Sequence, residues 1–393
     1  MRRTLPLRVY YVAAFAVSGI YLPYFPPWLH GRGLVGQSFG VVSAAAPAMG
    51  LFAPTAFGMV ADALALRTGL LQFACVGTLV AFSALTIAAG FGAALGVGGL
   101  FLAAVAIALF RTPMLLMADV VALERAPGVG TTYGRLRLWG SLGFLASALV
   151  AGCAVDPRRA VAVPLACTVA VAAALIAALG LPRGAHLPAR QEHRGLSHLL
   201  AESDFRLFLF AAFLGNCAQA AYDQCFSLHL FDLGVPRPLV GVAWALGTGA
   251  EVGIMACSAS LFRVAPVSAL FAFALFGGAC RWALLAVVRS TPILLALQPL
   301  HAVSFGLVWV AEVAYTSRRF PPSSLATAQG LLATAMGAGS VLGMLVWGPV
   351  YTRWGGSFVF AGAACFAVCA SASAFALDRK VRVPVESGTA IVE

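Results

Sequence analysis

Ionisable side chains occur inside long apolar stretches of this sequence, where they could bind or move charge. Eight of them fall within predicted membrane spans or at span ends: Arg111, Asp119, Arg137, Asp223, Glu251, Arg281, His301 and Glu312. A charged residue at the centre of a membrane helix costs roughly 2.5–3.5 kcal/mol on insertion scales. These groups are therefore expected to be paired, neutral or in contact with water, as they are along substrate and proton pathways.

Hairpin geometry predicts which of these groups could meet. Asp119 and Arg137 each lie nine residues from the centre of the connection between their spans. Arg281 and His301 each lie ten residues from the centre of theirs. Positions equally far from a tight turn lie at similar depth on antiparallel helices, about 15 Å from the turn for the second pair at 1.5 Å per residue. We expect these two pairs to be partners, whereas Arg111 has no depth-matched partner.

Glutamates in two of the spans are candidates for carrying a proton. Glu251 falls near the middle of predicted span 8, and removal from water favours the neutral form of a carboxyl group. That suits a group that must gain and lose a proton in turn, so Glu251 is the leading proton-coupling candidate. Glu312 lies eleven residues after His301, which returns it to within about 20° of the same face of a regular α-helix. We expect both to line one path, with Asp223 as a further proton-coupling candidate.

The elements that must hold these groups are membrane helices. The chain has 393 residues, 61% of them hydrophobic and 10% charged, whereas soluble domains carry about 25% charged residues. The net charge of +11 comes mainly from arginines in short loops, which set orientation across a bilayer, so nucleic-acid binding is discounted. The nine cysteines stand singly in apolar segments and lack the paired spacing of a metal or redox site.

Twelve apolar segments are long enough to span a membrane, taking about 20 residues per span. They are predicted near 8–29, 38–61, 70–91, 94–118, 133–155, 161–181, 206–231, 237–261, 266–289, 292–315, 325–351 and 356–377. One polar loop divides them into two groups of six. The sequence therefore predicts an all-α membrane protein with a six-helix half over 1–181, a cytoplasmic linker over 182–205 with a short helix near Leu196–Glu202, a second half over 206–378 and a tail over 379–393.

The distribution of basic residues predicts the orientation. With a cytoplasmic N-terminus, 16 Arg and Lys residues lie inside and six lie outside, so the positive-inside rule places both termini in the cytoplasm. No loop is large enough for a catalytic domain, and no phosphate-binding loop or hydrolase motif is present where it could work. We therefore expect a transporter rather than an enzyme, with a site near the midplane between the halves. We expect a monomer in a bacterial inner membrane that uses the proton gradient and no cofactor.

Several motifs resemble the major facilitator superfamily, and within it the proton symporters that include the lactose permease and phenylpropionate permease types. The stretch GMVADALALRT is similar to the superfamily signature between helices 2 and 3 and supplies Gly58, Asp62 and Arg67. Ala65 and Leu66 depart from that signature, where a second glycine and an arginine are usual. The resemblance implies that this loop latches the two halves together on the cytoplasmic side.

Other stretches resemble the symporter branch itself: YLPYFPPWLHGRGL, YGRLRLWGSLGF and QPLHAVSFGLVWV. The resemblance implies that Arg137 binds substrate and that Asp119 works with it. It also implies that Glu251, Arg281 and His301 couple proton movement to transport.

One departure concerns the proton carrier. Lactose permease has a glutamate three residues after the histidine, where this chain has Ser304. The final carrier is therefore open between Glu251 and Glu312.

The function expected from these observations is proton-coupled import of a small organic solute by alternating access. A phenylpropionate-like aromatic acid is the preferred substrate, with Arg137 and Asp119 binding its polar group and Trp139 and Phe144 offering aromatic contact. A sugar or nucleoside symporter is the alternative, because an arginine and a carboxylate also hold hydroxyl groups. A membrane sensor or a multi-spanning lipid enzyme is the alternative from another class.

Overall fold

The structure is a computed structural model that describes residues 5–64, 67–92, 95–125, 133–181 and 196–382. Twelve long helical segments occur in this part of the chain, and we number them in chain order. They are α1 (Leu5–Gly31), α2 (Gly36–Leu64), α3 (Arg67–Gly90), α4 (Val97–Arg125), α5 (Tyr133–Ala154), α6 (Ala162–Leu179), α7 (Ser203–Asp232), α8 (Arg237–Val264), α9 (Val267–Val287), α10 (Thr291–Arg319), α11 (Pro322–Trp354) and α12 (Gly356–Arg382).

The predicted all-α fold with twelve spans is confirmed. Ten of the twelve segments are long and apolar enough to cross a membrane by length and composition. Of the other two, α2 includes side chains that lie outside the described residues, and α7 carries Asp204, Arg206, Asp223 and Asp232, which lower its hydropathy. A short helix, Leu196–Ala201, precedes α7, where the sequence predicted one. The rest of the predicted linker, 182–195, and the end of the tail, 383–393, lie outside the described residues.

The two sets of six helices pack in the same pattern. In the first half α1 packs against α5 and α6, α3 packs against α4 and α6, and α2 packs against α4. In the second half the corresponding helices make the corresponding contacts: α7 with α11 and α12, α9 with α10 and α12, and α8 with α10. The contacts between the halves run mainly through α2 with α11 and α5 with α8. The space between the halves is thus bounded by these four helices.

The start of α2 and the end of α11 are in close contact. A Cβ atom at Gly40 would lie 2.8 Å from the carbonyl oxygen of Met344, and one at Gly348 would lie 2.8 Å from the backbone nitrogen of Gly40. The backbone N–H of Gly36 donates to the Thr352 hydroxyl oxygen over 2.7 Å. Only glycine permits this approach of two backbones, so the halves are closed here. We call this the closed end; the short helix Leu196–Ala201 and the start of α1 belong to the opposite, open end.

The end of α5 and the start of α8 form the second contact of the closed end. A Cβ atom at Gly241 of α8 would overlap the carbonyl oxygen of Ala148 and lie 3.0 Å from the Tyr24 hydroxyl oxygen. Further along α8 a Cβ atom at Gly249 would make an ordinary 3.7 Å contact, and one at Gly253 would have no described atom within 4 Å. Among these positions, the contact of α8 with α5 is thus closest at the closed end.

Helix α10 is not the regular helix that the sequence predicted. It begins as an α-helix over Thr291–Ala296, tightens to a 3-10 turn over Gln298–Leu300, widens to a π-helix over Ala302–Leu307 and ends as an α-helix over Val308–Arg319. A π-helix bonds residue i to i+5 and so turns less per residue than an α-helix. The assumption that placed His301 and Glu312 on one face is therefore wrong.

Candidate functional site

A buried arginine organises the polar cluster of the second half. Arg281 of α9 has 0% of its surface exposed. Its Nη1 lies 3.2 Å from Nδ1 of His301 and donates to the Ser304 hydroxyl oxygen over 3.1 Å. Its Nη2 donates to Oε1 of Gln298 over 3.0 Å. The predicted contact of Arg281 with His301 is present, and Gln298 is a partner that the sequence reasoning missed.

The tautomer of His301 follows from these contacts. A guanidinium group only donates hydrogen bonds, so Nδ1 of His301 accepts from Arg281 and the ring proton of the neutral form is on Nε2. That Nε2 lies 3.9 Å from Oε2 of Glu251 on α8. The structure thus joins Glu251, His301 and Arg281 into one chain of polar groups. Glu251 and Nε2 of His301 are neighbours, at a separation longer than a hydrogen bond.

The irregular backbone of α10 brings the partners of Arg281 together. Gln298 lies in the 3-10 turn, His301 follows it, and Ser304 lies in the π-helix. Pro299 has no N–H group for the helical ladder, which favours an irregular turn here. A Cβ atom at Gly306 would lie 3.0 Å from Cγ of Glu251, so the missing side chain lets α10 approach α8 closely. π-Helical turns inside membrane and soluble helices often accompany functional sites.

Aromatic rings fix the orientation of the same cluster. The His301 ring stacks between Tyr222 and Phe305, with centroids 5.1 Å away on each side. The guanidinium carbon of Arg281 lies 4.5 Å from the Tyr222 centroid and 4.6 Å from the Trp282 centroid. Cation–π contacts of this kind stabilise a desolvated cation by up to about 2 kcal/mol. Tyr222 was not predicted from the sequence, although its position next to Asp223 inside a span could have indicated a place in the polar cluster.

Asp223 lies beside this chain rather than in it. Its Oδ1 accepts a hydrogen bond of 3.0 Å from the side-chain amide of Gln219, one turn earlier on α7. It lies within electrostatic range of Arg281. Asp223 therefore places a carboxyl group near the arginine, and its described hydrogen bond is to Gln219.

The first half holds a second polar cluster near the open end. Oδ1 of Asp119 accepts a hydrogen bond of 2.7 Å from the Tyr11 hydroxyl and lies 4.0 Å from Nε of Arg137, so the predicted pair is found. Tyr133 lies within hydrogen-bonding reach of both charged side chains. The Arg137 guanidinium carbon lies 3.9 Å from the ring centroid of Phe15 on α1. Arg137 and Asp119 are 36% and 32% exposed, so a solute can reach them.

The two predicted aromatic contacts of the substrate have different positions. Phe144 is buried on α5, and its ring centroid lies 6.5 Å from that of Trp244 on α8, across the boundary between the halves. Trp139 lies instead beside Arg8, whose guanidinium carbon is 5.6 Å from its ring centroid. Two residues along an α-helix turn the side chain by about 200°, which carries Trp139 away from the face of Arg137. The structure thus supplies Phe144, and not Trp139, as an aromatic group between the halves.

The two clusters face each other across the opening. The positive charge of Arg137 acts on the carboxyl group of Glu251, which belongs to the opposite half. Glu312 takes no part in either cluster: it is 1% exposed, neither of its carboxyl oxygens has a hydrogen-bond partner among the described residues, and it shares a buried helix face with Val308 and Tyr315. Among the described residues, no hydrogen bond or ion pair links Glu312 to His301, and a path that contains both stays a prediction.

The predicted latch can be placed only in part. Gly58 and Asp62 lie in the final third of α2, but their surroundings and the Asp62 side chain are outside the described residues. Arg67 is the first residue of α3. In the part of the chain that the structure describes, no three His, Cys, Asp or Glu residues are grouped to hold a metal ion.

Comparisons with known proteins agree on one class. The sequence pattern of the MFS_1 like family matches residues 4–361. The chain is 29% identical over 361 residues to the Escherichia coli (strain K12) protein named "Probable 3-phenylpropionic acid transporter", covering 89% of this chain and 91% of that protein. It is 28% identical over 375 residues to the maltose permease of Geobacillus stearothermophilus, covering 92% and 90%.

Solved structures share the fold. A mutant of the nucleoside transporter NupG superposes with a TM-score of 0.83 at 17% identity, covering 95% of this chain and 99% of that one. A POT family transporter superposes with a TM-score of 0.74 at 11% identity, covering 96% of both chains.

Proposed function

Since the chain belongs to the MFS_1 like family and is a secondary transporter of the major facilitator superfamily, we propose that it is a proton symporter that imports a small aromatic acid. In this proposal both termini lie in the cytoplasm of a bacterial inner membrane, so the open end faces the cytoplasm. The protein works as a monomer, and Asp62 and Arg67 latch the halves at the open end when they close. Protons and substrate bind between the halves and leave together.

The observation that carries the proposal is the position of Glu251. Its Oε2 lies 3.9 Å from Nε2 of His301, and its carboxyl group also interacts electrostatically with Arg137. An ionised Glu251 competes with an anionic substrate for Arg137, because both are attracted to the same guanidinium group. A protonated Glu251 leaves that charge to the substrate. Binding of the proton and of the anion therefore favour each other, and this linkage is reciprocal.

His301 and Arg281 set the route by which Glu251 exchanges its proton. With Nδ1 held by Arg281, Nε2 of His301 is the ring atom that faces Glu251. The stacked rings of Tyr222 and Phe305 hold the imidazole in that plane. Asp223 adds negative charge close to Arg281 and completes the set of groups that we assign to proton coupling in this half.

Substrate chemistry is inferred from the first-half cluster. Arg137 can bind a carboxylate through two parallel hydrogen bonds. Phe15 supplies aromatic surface beside it, and Phe144 supplies aromatic surface at the boundary with the other half. The 29% identical relative is named for 3-phenylpropionic acid, which has this combination of ring and carboxylate. The pair of Asp119 and Arg137 also suits hydroxyl groups, so a sugar remains the second candidate, supported by the maltose permease relative.

Uptake by proteoliposomes tests the proposal. An imposed pH gradient, acid outside, should drive accumulation of radiolabelled 3-phenylpropionate by the wild-type protein. Glu251→Gln should lose this accumulation but retain exchange of labelled for unlabelled substrate, since exchange needs no net proton release. Normal gradient-driven accumulation by Glu251→Gln would refute the coupling role.

Glu312→Gln is the matched variant for this experiment, because it makes the same substitution at a buried carboxyl group outside the cluster. Loss of accumulation in Glu312→Gln, with retention in Glu251→Gln, would move the proton carrier to Glu312. Accumulation of maltose in place of 3-phenylpropionate would move the substrate class to sugars.

A further inference from the structure

Arg111, in the middle of α4, is a cation whose counter-charge is not supplied by the described part of the protein. Its Nη1 lies 3.4 Å from the Ser18 hydroxyl oxygen, and its guanidinium carbon lies 4.8 Å from the ring centroid of Tyr21. Its Nε is buried and has no hydrogen-bond partner. Among the described residues it forms no ion pair within 4.0 Å, unlike Arg137.

Arg281 also has a buried Nε without a hydrogen-bond partner, but the protein itself holds the other two nitrogens of its guanidinium group. Three side chains accept hydrogen bonds from Arg281, and two aromatic rings cover it. Arg111 has one long hydrogen bond to a hydroxyl group and one ring. Arg111 as a whole residue is only partly buried, although its Nε is buried. A cation with so few protein partners can bind an anion that enters from outside the protein.

The charge balance of the first-half site points the same way. Arg137 and Asp119 form a pair with no net charge, so a ligand meets one uncompensated positive charge, that of Arg111, among the described side chains of these helices. The two guanidinium groups lie over neighbouring turns of α1, one against Phe15 and the other against Ser18. Residues three apart on an α-helix have Cβ atoms about 5–6 Å apart. The two cations therefore contact neighbouring side chains of α1.

We propose that Arg111 and Ser18 form the carboxylate subsite of the transported acid and that Arg111 makes the site prefer an acid over a neutral molecule of the same shape. This rests on the proposed function, because it assumes that the carried solute is an aromatic acid. The Ser18 hydroxyl donates a further hydrogen bond to the carboxylate, and the Tyr21 ring holds the guanidinium group from the far side. Arg137 contributes to the same ligand while it remains in range of Asp119 and Glu251.

Two ligands that differ only in charge test the subsite: 3-phenylpropionate and its neutral amide, 3-phenylpropionamide. Their affinities for the purified full-length protein are measured by ligand-dependent shifts in melting temperature. The wild-type protein should bind the acid at least tenfold more tightly than the amide. Arg111→Gln should lose this preference while its affinity for the amide is unchanged, and Arg111→Lys should keep part of it.

The melting temperature without ligand separates a binding role from a structural role. Arg111→Gln should melt at the same temperature as the wild-type protein or higher, because the substitution removes an uncompensated charge. A lower melting temperature, or an acid preference that persists in Arg111→Gln, overturns the inference. Equal binding of the two ligands by the wild-type protein also overturns the inference, but it leaves the claim that the protein binds an aromatic solute intact. Binding of neither ligand by the wild-type protein refutes the proposed substrate class, and the inference falls with it.

Discussion

The closed end of the transporter depends on glycines, and Gly241→Ala tests how strongly. The added methyl group would overlap the carbonyl oxygen of Ala148 and lie 3.0 Å from the Tyr24 hydroxyl oxygen. A backbone oxygen cannot move aside as a flexible side chain can, so α5 and α8 must separate there. In the state with the closed end apart, the same methyl group meets no such obstacle. The substitution should therefore shift the population towards that state.

The size of the shift follows from the cost of overpacking. Inserting a methyl group into a well-packed contact typically costs 1–3 kcal/mol. Between two conformations of one protein, that range corresponds to a change of about 5- to 150-fold in their ratio. The helical preference of Ala over Gly, about 1 kcal/mol, acts in both conformations and in every Gly→Ala variant of α8. A comparison among such variants therefore isolates the clash.

Spin-label distances across the open end measure the ratio of the two states. One label is placed at position 134 of α5, where a side chain has open space, and the other at Cys257 of α8, which is exposed, with the remaining cysteines replaced. Gly241→Ala should move the distance distribution to shorter values as the open end closes. Gly253→Ala, with no described atom within 4 Å of the added group, is the matched control and should leave it unchanged. Identical distributions for the two variants would show that glycine contacts do not hold the closed end.

Three further outcomes are expected. Arg137→Lys should lower the uptake efficiency for 3-phenylpropionate about 10- to 150-fold, because hydrogen bonds to a charged group contribute about 1.5–3 kcal/mol. Arg135→Lys, at an exposed position of the same helix, is the control and should leave uptake unchanged. Tyr11→Phe removes the 2.7 Å hydrogen bond to Asp119 and should raise the KM for uptake several-fold with a smaller effect on the melting temperature. Arg237→Gln breaks the 3.7 Å ion pair with Asp156 at the closed end, and surface ion pairs of this kind contribute about 0.2–1 kcal/mol. This variant should therefore shift the spin-label distances less than Gly241→Ala does. An equal or larger shift would mean that charge, rather than backbone packing, closes this end.

The helices could be predicted because the membrane imposes their length. The span predicted near 133–155 corresponds to Tyr133–Ala154, and the span near 356–377 lies within Gly356–Arg382. The pairs Asp119–Arg137 and Arg281–His301 were also predictable, because depth in a hairpin depends only on distance from its turn. The structure contains both contacts, at 4.0 Å and 3.2 Å. Their roles in transport stay predictions.

The interior of α10 could not be predicted in the same way. Hydropathy records how many apolar residues a segment has, and a π-helix with a preceding 3-10 turn leaves that number unchanged. The rotation that these turns introduce decides which residues share a face. Glu312, assigned to the face of His301 on the assumption of a regular helix, lies instead on a buried face with Val308 and Tyr315. Gln298 was not predicted because a neutral amide in a membrane span does not by itself indicate a site. Its importance follows from its hydrogen bond with the buried Arg281, which the sequence does not show.

The neutral partners of Arg281 bear on how the cluster can respond to a proton. Gln298 and Ser304 satisfy the guanidinium group without cancelling its charge. A carboxylate at position 304 would pair with Arg281 directly and would remain paired whatever the state of Glu251. With a serine there, protonation of Glu251 changes the net charge beside His301 by one unit, and no acid bonded to Arg281 offsets the change. The change therefore acts on Arg137, with which Glu251 interacts electrostatically. In the proposed mechanism, Ser304 thus gives the carboxyl group of Glu251 a larger influence on the site.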